Sequence, residues 1–128
     1  MVRAALDHPY ALSVPADPAG LSTVRVFLRA IARTIDAEPE RGDDLELIVS
    51  EICAALVEGG SGHLDIEVRV DGSAVSVAVD ADGAPSAPED NGIRGDLLGT
   101  LAPDLTWVDH GARFTAPVAS GDDAAHAR

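Results

Sequence analysis

No lysine occurs in the sequence: all nine basic residues are arginine, and 22 acidic residues outnumber them, giving a formal charge of -13. A field of that sign repels phosphate backbones and anionic bilayers, so neither nucleic acid nor a membrane is expected as a partner, and a basic protein surface is. The missing lysine itself follows from the codon bias of a GC-rich genome rather than from chemistry. Aromatic residues are scarce, with one Trp, one Tyr and two Phe, while 46% of the chain is hydrophobic. Any core must therefore be aliphatic. The single cysteine, Cys53, excludes an internal disulfide and reads as a small core residue, and the histidines His8, His63, His110 and His126 are scattered without metal-ligand spacing. Also missing are a run of about 20 apolar residues able to span a bilayer and, in M-V-R-A-A-L-D-H-P-Y, the apolar centre of a signal peptide. The expected compartment is a reducing cytoplasm.

What is present fits one domain of 128 residues, placed at 10–118 between a polar lead (1–9) and a small, polar tail (119–128) expected to be disordered. Tyr10 to Val14 reads as a strand that Pro15 ends. Asp17-Pro18 then offers an N-cap followed by the proline favoured at the first helical position. Leu21, Val24, Leu28, Ile31 and Ile35 form one apolar stripe on a first helix, and Arg25, Arg29 and Arg33 stand on its flank four residues apart. In so acidic a chain that row is the most concentrated positive feature.

Glu38 to Gly42 reads as a turn, and Asp43 with Glu46 as an acidic capping box opening a second helix. That helix buries Leu45, Ile48, Val49, Ile52 and Leu56 and stops at Gly59-Gly60. Leu64, Ile66, Val68 and Val70 alternate with polar residues, Asp71-Gly72 signals a tight turn, and Val75, Val77 and Val79 alternate again, which spells a β-hairpin. A loop from about Asp82 to Gly92, a short helix from Ile93 to Leu101 and two short strands flanking His110-Gly111 complete the chain. The order implies an α/β (α+β) two-layer sandwich, a mixed and mostly antiparallel sheet with helices on one face.

This order, with L-S-V-P-A-D-P-A-G-L-S-T-V-R-V-F-L and L-E-L-I-V-S-E-I, resembles the anti-sigma-factor serine-kinase family of the histidine-kinase-like (Bergerat-fold) ATPases. The resemblance is densest from Leu12 to Gly83 and thinner from Gly92 to about Pro117. It implies that fold, a dimer, ATP and magnesium as ligands, and a sigma factor and a serine-bearing anti-anti-sigma (STAS) protein as partners.

Residue by residue, the implied site is damaged. The family's second helix carries a glutamate and, four residues on, an asparagine. Residues at that spacing share a face, so the carboxylate can act on the attacking hydroxyl while the amide oxygen holds magnesium. Here they are Glu51 and Ala55, and a methyl group cannot coordinate a cation; Gly59 stands where a polar residue often follows. The adenine-reading motif, aspartate-x-glycine-x-glycine, falls on Ala81, Gly83 and Pro85. Moving it to Asp80 places the carboxylate on the opposite side of the strand from Val75, Val77 and Val79. The glycine-rich phosphate cradle maps to Gly92, Gly95 and Gly99, with Asp96 where a phosphate would approach. Loss of the adenine contact alone removes about 1 to 3 kcal/mol.

Glu51 is then a vestigial base in a degenerate pocket of Glu51, Ala55, Ala81, Asp82, Gly83, Gly92 and Gly95, or an ordinary helix glutamate. Arg25 matches in position a family arginine that contacts both the sigma factor and the anti-anti-sigma protein, while the arginine row can equally be a solvated face. Asp80, Asp82, Glu89 and Asp90 lack the ligand alternation of a calcium loop. The expected function is that of a catalytically degenerate regulator without a cofactor, holding a sigma factor or an anti-anti-sigma protein. The alternatives are an ATP- and magnesium-dependent serine kinase, with Glu51 as base and Asp80 or Asp82 reading adenine, and a sensor of another ligand in the vacated pocket.

Overall fold

Alternation along β2 (His63–Asp71) and β3 (Ala74–Ala81) puts Leu64, Ile66, Val68, Val75, Val77, Val79 and Ala81 on one side of a sheet, where all are buried. A computed structural model of the chain, describing residues 9–58, 60, 62–82 and 92–119, supplies the rest. The other elements are β1 (Tyr10–Pro15), α1 (Pro18–Thr34), α2 (Pro39–Glu58), α3 (Gly92–Leu101), β4 (Thr106–Val108) and β5 (Gly111–Pro117). The strands form one sheet in the order β1-β2-β3-β5-β4, and every pairing is antiparallel. The two-residue turn at Gly72-Ser73 sets the hairpin register, Val70 opposite Val75 and Ile66 opposite Val79, with Gly72 in the left-handed region (φ 63°) that the turn requires.

Val24, Leu28 and Ile31 of α1 and Leu45, Ile48, Val49, Ile52, Cys53 and Leu56 of α2 join the strand residues in one core. Helices thus cover one face of the sheet, and the other, with Ser13, Asp65, Arg69, Ser76, Arg113 and Thr115 exposed, stays open. Cys53 is fully buried, and burial pushes its thiol up to about 12, so it is an inert core residue. Among the described residues no helix is long and apolar enough to cross a membrane.

α1 begins as its sequence predicts. Asp17 is extended, its carboxylate accepts from the Gly20 amide at 2.8 Å, and Pro18 takes the first helical position. α2 does not. Residues Glu38 to Gly42 are not a turn: helix starts at Pro39, and the Glu38 carboxylate accepts from the amides of Glu40 and Arg41 at 3.2 and 3.3 Å. The proline sits where its missing N–H is harmless, so a stretch rich in turn residues opens a helix. Asp43 and Glu46 lie inside that helix rather than in a capping box. The loop between Asp82 and Gly92, Gly59, Gly83, Pro85, Glu89, Asp90, His8, His126 and nearly all of the tail lie outside the described residues.

Candidate functional site

Glu51, Ala55 and Glu58 stand along one face of α2, since helix positions four and seven apart return to the same side. Ala55 is buried at 3% exposure. α3 brings Arg94 across this face: its Nε donates to Glu51 Oε1 at 3.0 Å, while Nη1 and Nη2 donate to the two Glu58 carboxylate oxygens at 2.9 Å each. The guanidinium therefore spans the turn that carries Ala54 and Ala55. The hydrogen bonds that Arg94 donates to Glu58 first, then to Glu51, hold its guanidinium above its ordinary pKa, and those to Glu58 hold the Glu58 carboxyl below the usual carboxylate range.

A hard divalent ion needs several oxygen ligands, yet the Ala55 methyl offers none and Arg94 already holds Glu51. No group of three or more acidic, histidine or cysteine side chains that could hold a metal occurs among the described residues.

At the far end of β3, Ala81 is buried at 4% exposure on the helix side, and its amide donates to the His110 carbonyl at 2.6 Å. Its side chain has no acceptor. Asp80 lies on the open face, paired with Arg113 at 2.9 Å, away from α2. Asp82 accepts from the Gly62 amide at 3.1 Å and donates its own amide to the His63 carbonyl at 3.2 Å, tying the end of β3 to the start of β2. Gly92 and Gly95 are built into α3, and Asp96 and Gly99 are exposed on it.

The arginine row on α1 divides. Arg29 forms a two-bond pair with Glu46 of α2, Nε to Oε1 at 2.7 Å and Nη2 to Oε2 at 3.0 Å, so it clasps the two helices. Arg25 donates only to the Ser50 hydroxyl at 3.3 Å, and neither Arg25 nor Arg33 has a carboxylate partner among the described residues. Arg25, Leu47, Ser50 and Glu51 line an open groove of about 450 Å³ between α1 and α2. The groove joins the arginine face to the Glu51 end of the site.

Sequence reasoning placed Glu51, Ala55 and Ala81 but missed Arg94 and Glu58. The available signal was weak: Arg94 is the lone basic residue of the helix G-I-R-G-D-L-L-G-T-L, near its N-terminus, where a cation is unfavourable.

The sequence profile of the histidine kinase-like ATPase domain matches residues 14–101. A comparison with curated proteins finds no match. Among solved structures, the RsbU and RsbW domains of Rv1364c from Mycobacterium tuberculosis are similar at TM-score 0.61 and 19% identity, over 87% of this chain and 33% of that one. The chain thus spans about a third of the length of that relative and shares its fold.

Proposed function

The chain belongs to the histidine kinase-like ATPase domain family, and from that premise we propose that it is a catalytically silent regulator that acts by occupying a partner's surface. The partner class is a sigma factor or an anti-anti-sigma (STAS) protein, held in transcriptional partner switching, and the chain works as a homodimer in the cytoplasm. The observation that carries this reading is the Glu51–Arg94 pair beside Ala55: the glutamate at the position of the family's base is held by an arginine, and the methyl group one turn on offers no ligand to a metal. Ala81, without an acceptor, supports the same reading at the other end of the pocket. The fold likeness to a structure containing an RsbW domain is consistent with partner switching.

Partner contact falls to α1. Arg25 is exposed and has no carboxylate partner among the described residues, Val26 beside it is 62% exposed, and the groove adds Leu47 at 38%. The groove sets Arg25 and Arg29 among Asp43, Glu46 and Glu51, so a segment that is apolar and carries charges of both signs suits that mixture. Arg29 is assigned instead to holding α1 on α2, and Arg33 extends the basic face.

Two measurements test this. With ATP and magnesium at roughly millimolar concentration, thermal unfolding should not move; occupancy at about 100 times Kd would add about 2.7 kcal/mol and raise the midpoint by several degrees. A clear magnesium-dependent rise would favour the kinase alternative. Affinity capture from the source cell with Arg25→Glu should recover the sigma factor or STAS partner about tenfold less well than wild type, near 1.4 kcal/mol. Equal recovery of the same partners would remove α1 as the contact.

A further inference from the structure

We infer that Arg94 is a tethered counter-ion whose clasp on Glu51 and Glu58 holds the first half of α3 closed across α2, making that part of the helix a conditional element of the fold. The clasp goes beyond the proposed partner role and does not depend on it.

Three observations carry it. The buried anchors of this segment, Leu98 at 4% exposure and Ala102 at 1%, lie in or just past the second half of α3. In the first half Ile93 is 85% exposed, Asp96 is exposed, and glycine at positions 92 and 95 weakens the helix itself. From that half, Arg94 reaches across to α2 with three hydrogen bonds.

Each charge also sits at the wrong end of its own helix. Arg94 is in the first turn of α3, which has no acidic residue, and Glu58 is the last residue of α2, whose final turn has no basic one. A cation opposes the dipole at a helix N-terminus and an anion opposes it at a C-terminus. Paired, each is brought toward the helix end that its sign favours, so the local disadvantage disappears only when α3 is docked. Finally, the clasp is shielded on one side: the Arg94 and Glu51 side chains are 34% and 29% exposed, whereas Glu58 is 64% exposed, so water screens the Glu51 contact less than the Glu58 contact. The bidentate fork on Glu58 fixes direction as well as charge.

Hydrogen–deuterium exchange on the full chain tests the clasp. In Arg94→Gln, amides of residues 93–98 should exchange about tenfold faster than in wild type, while the β2–β3 hairpin keeps its protection. Glu51→Gln combined with Glu58→Gln should give the same acceleration, and adding Arg94→Gln to that pair should change nothing further. Magnesium chloride should leave the wild-type pattern unaltered. Unchanged exchange of residues 93–98 in Arg94→Gln, or a full additional effect in the triple variant, overturns the inference. Should Arg94→Gln fail to fold, Arg94→Lys, which keeps the charge and loses the fork, should fall between wild type and the double variant; wild-type exchange in Arg94→Lys and in the double variant alike overturns it too.

Discussion

Gly111→Ala should lower stability by about 3 kcal/mol, the upper end of the range for an overpacked interior. Gly111 opens β5 opposite Asp80, and a Cβ there would overlap the carbonyl oxygen of Val79 while coming within 2.9 Å of the Val79 carbonyl carbon and the Asp80 Cα. These are main-chain atoms, with no rotamer by which to move aside. β5 would have to retreat from β3, loosening the pairs Val79–Ala112 and Val77–Phe114, whose four side chains are all buried. The glycine is needed for space, since its backbone φ is not in the left-handed region. For a domain of this size the loss corresponds to a fall of about 10 °C in the thermal midpoint. The urea midpoint should drop without a change in slope. A midpoint within a degree or two of wild type would show that β5 does not begin at Gly111. The effect reaches the candidate site, because the same approach positions the His110 carbonyl that receives the Ala81 amide.

Gly111 also marks where sequence reading stops. The strand alternation and the stripe Val24, Leu28 and Ile31 are local patterns whose periods translate directly into buried faces, so the two-layer architecture was legible from them. Parity along β3 likewise separated Ala81 from Asp80, and the structure puts Asp80 beside Arg113 on the open face. What failed locally was a competition between two meanings of the same residues. Glu-Pro-Glu-Arg-Gly has turn composition, but a proline at a first helical position and a carboxylate reaching forward to two amides are also how a helix starts, and here α2's packing on α1 decides. Gly42, close to the Ala32 Cβ, fits where the two helices approach.

The site divides in the same way. Glu51 and Ala55 lie on one helix and follow from spacing alone. Arg94 lies 43 residues from Glu51 in the chain and meets it only through the docking of α3. Glu46 was read as part of a capping box and lies instead inside α2, while its partner Arg29 was legible as part of a row. Their meeting depends on how α1 crosses α2, a quantity no local period encodes. Charge pairs in an acidic chain are thus the least readable part of the sequence, because each joins residues that only the packing of two helices brings together.

Gly20→Ala is the second large effect, and its sign runs against helix propensity. In an open helix the exchange would stabilise by about 1 kcal/mol. Gly20, however, is buried in the first turn of α1 directly beneath the end of β1: a Cβ would overlap the Pro15 carbonyl oxygen and lie 3.0 Å from its carbonyl carbon. The Gly20 amide is at the same time held by the Asp17 carboxylate, so the turn cannot slide outward without giving up its cap. The clash should exceed the propensity gain and leave a net loss of about 2 kcal/mol, read as a fall of several degrees in the thermal midpoint. Ala30→Gly, at an exposed position of the same helix, separates the two contributions: it should cost about 1 kcal/mol through propensity alone. A raised midpoint in Gly20→Ala would mean that α1 does not dock on β1 in this way. Because the first turn fixes the direction in which α1 leaves the sheet, the variant should also shift Arg25, five residues on, and weaken partner capture more than its loss of stability accounts for. Of the two close approaches, at Gly111 and at Gly20, the second therefore lies at the junction that aims the arginine face, within the stretch A-D-P-A-G-L that carries the family resemblance.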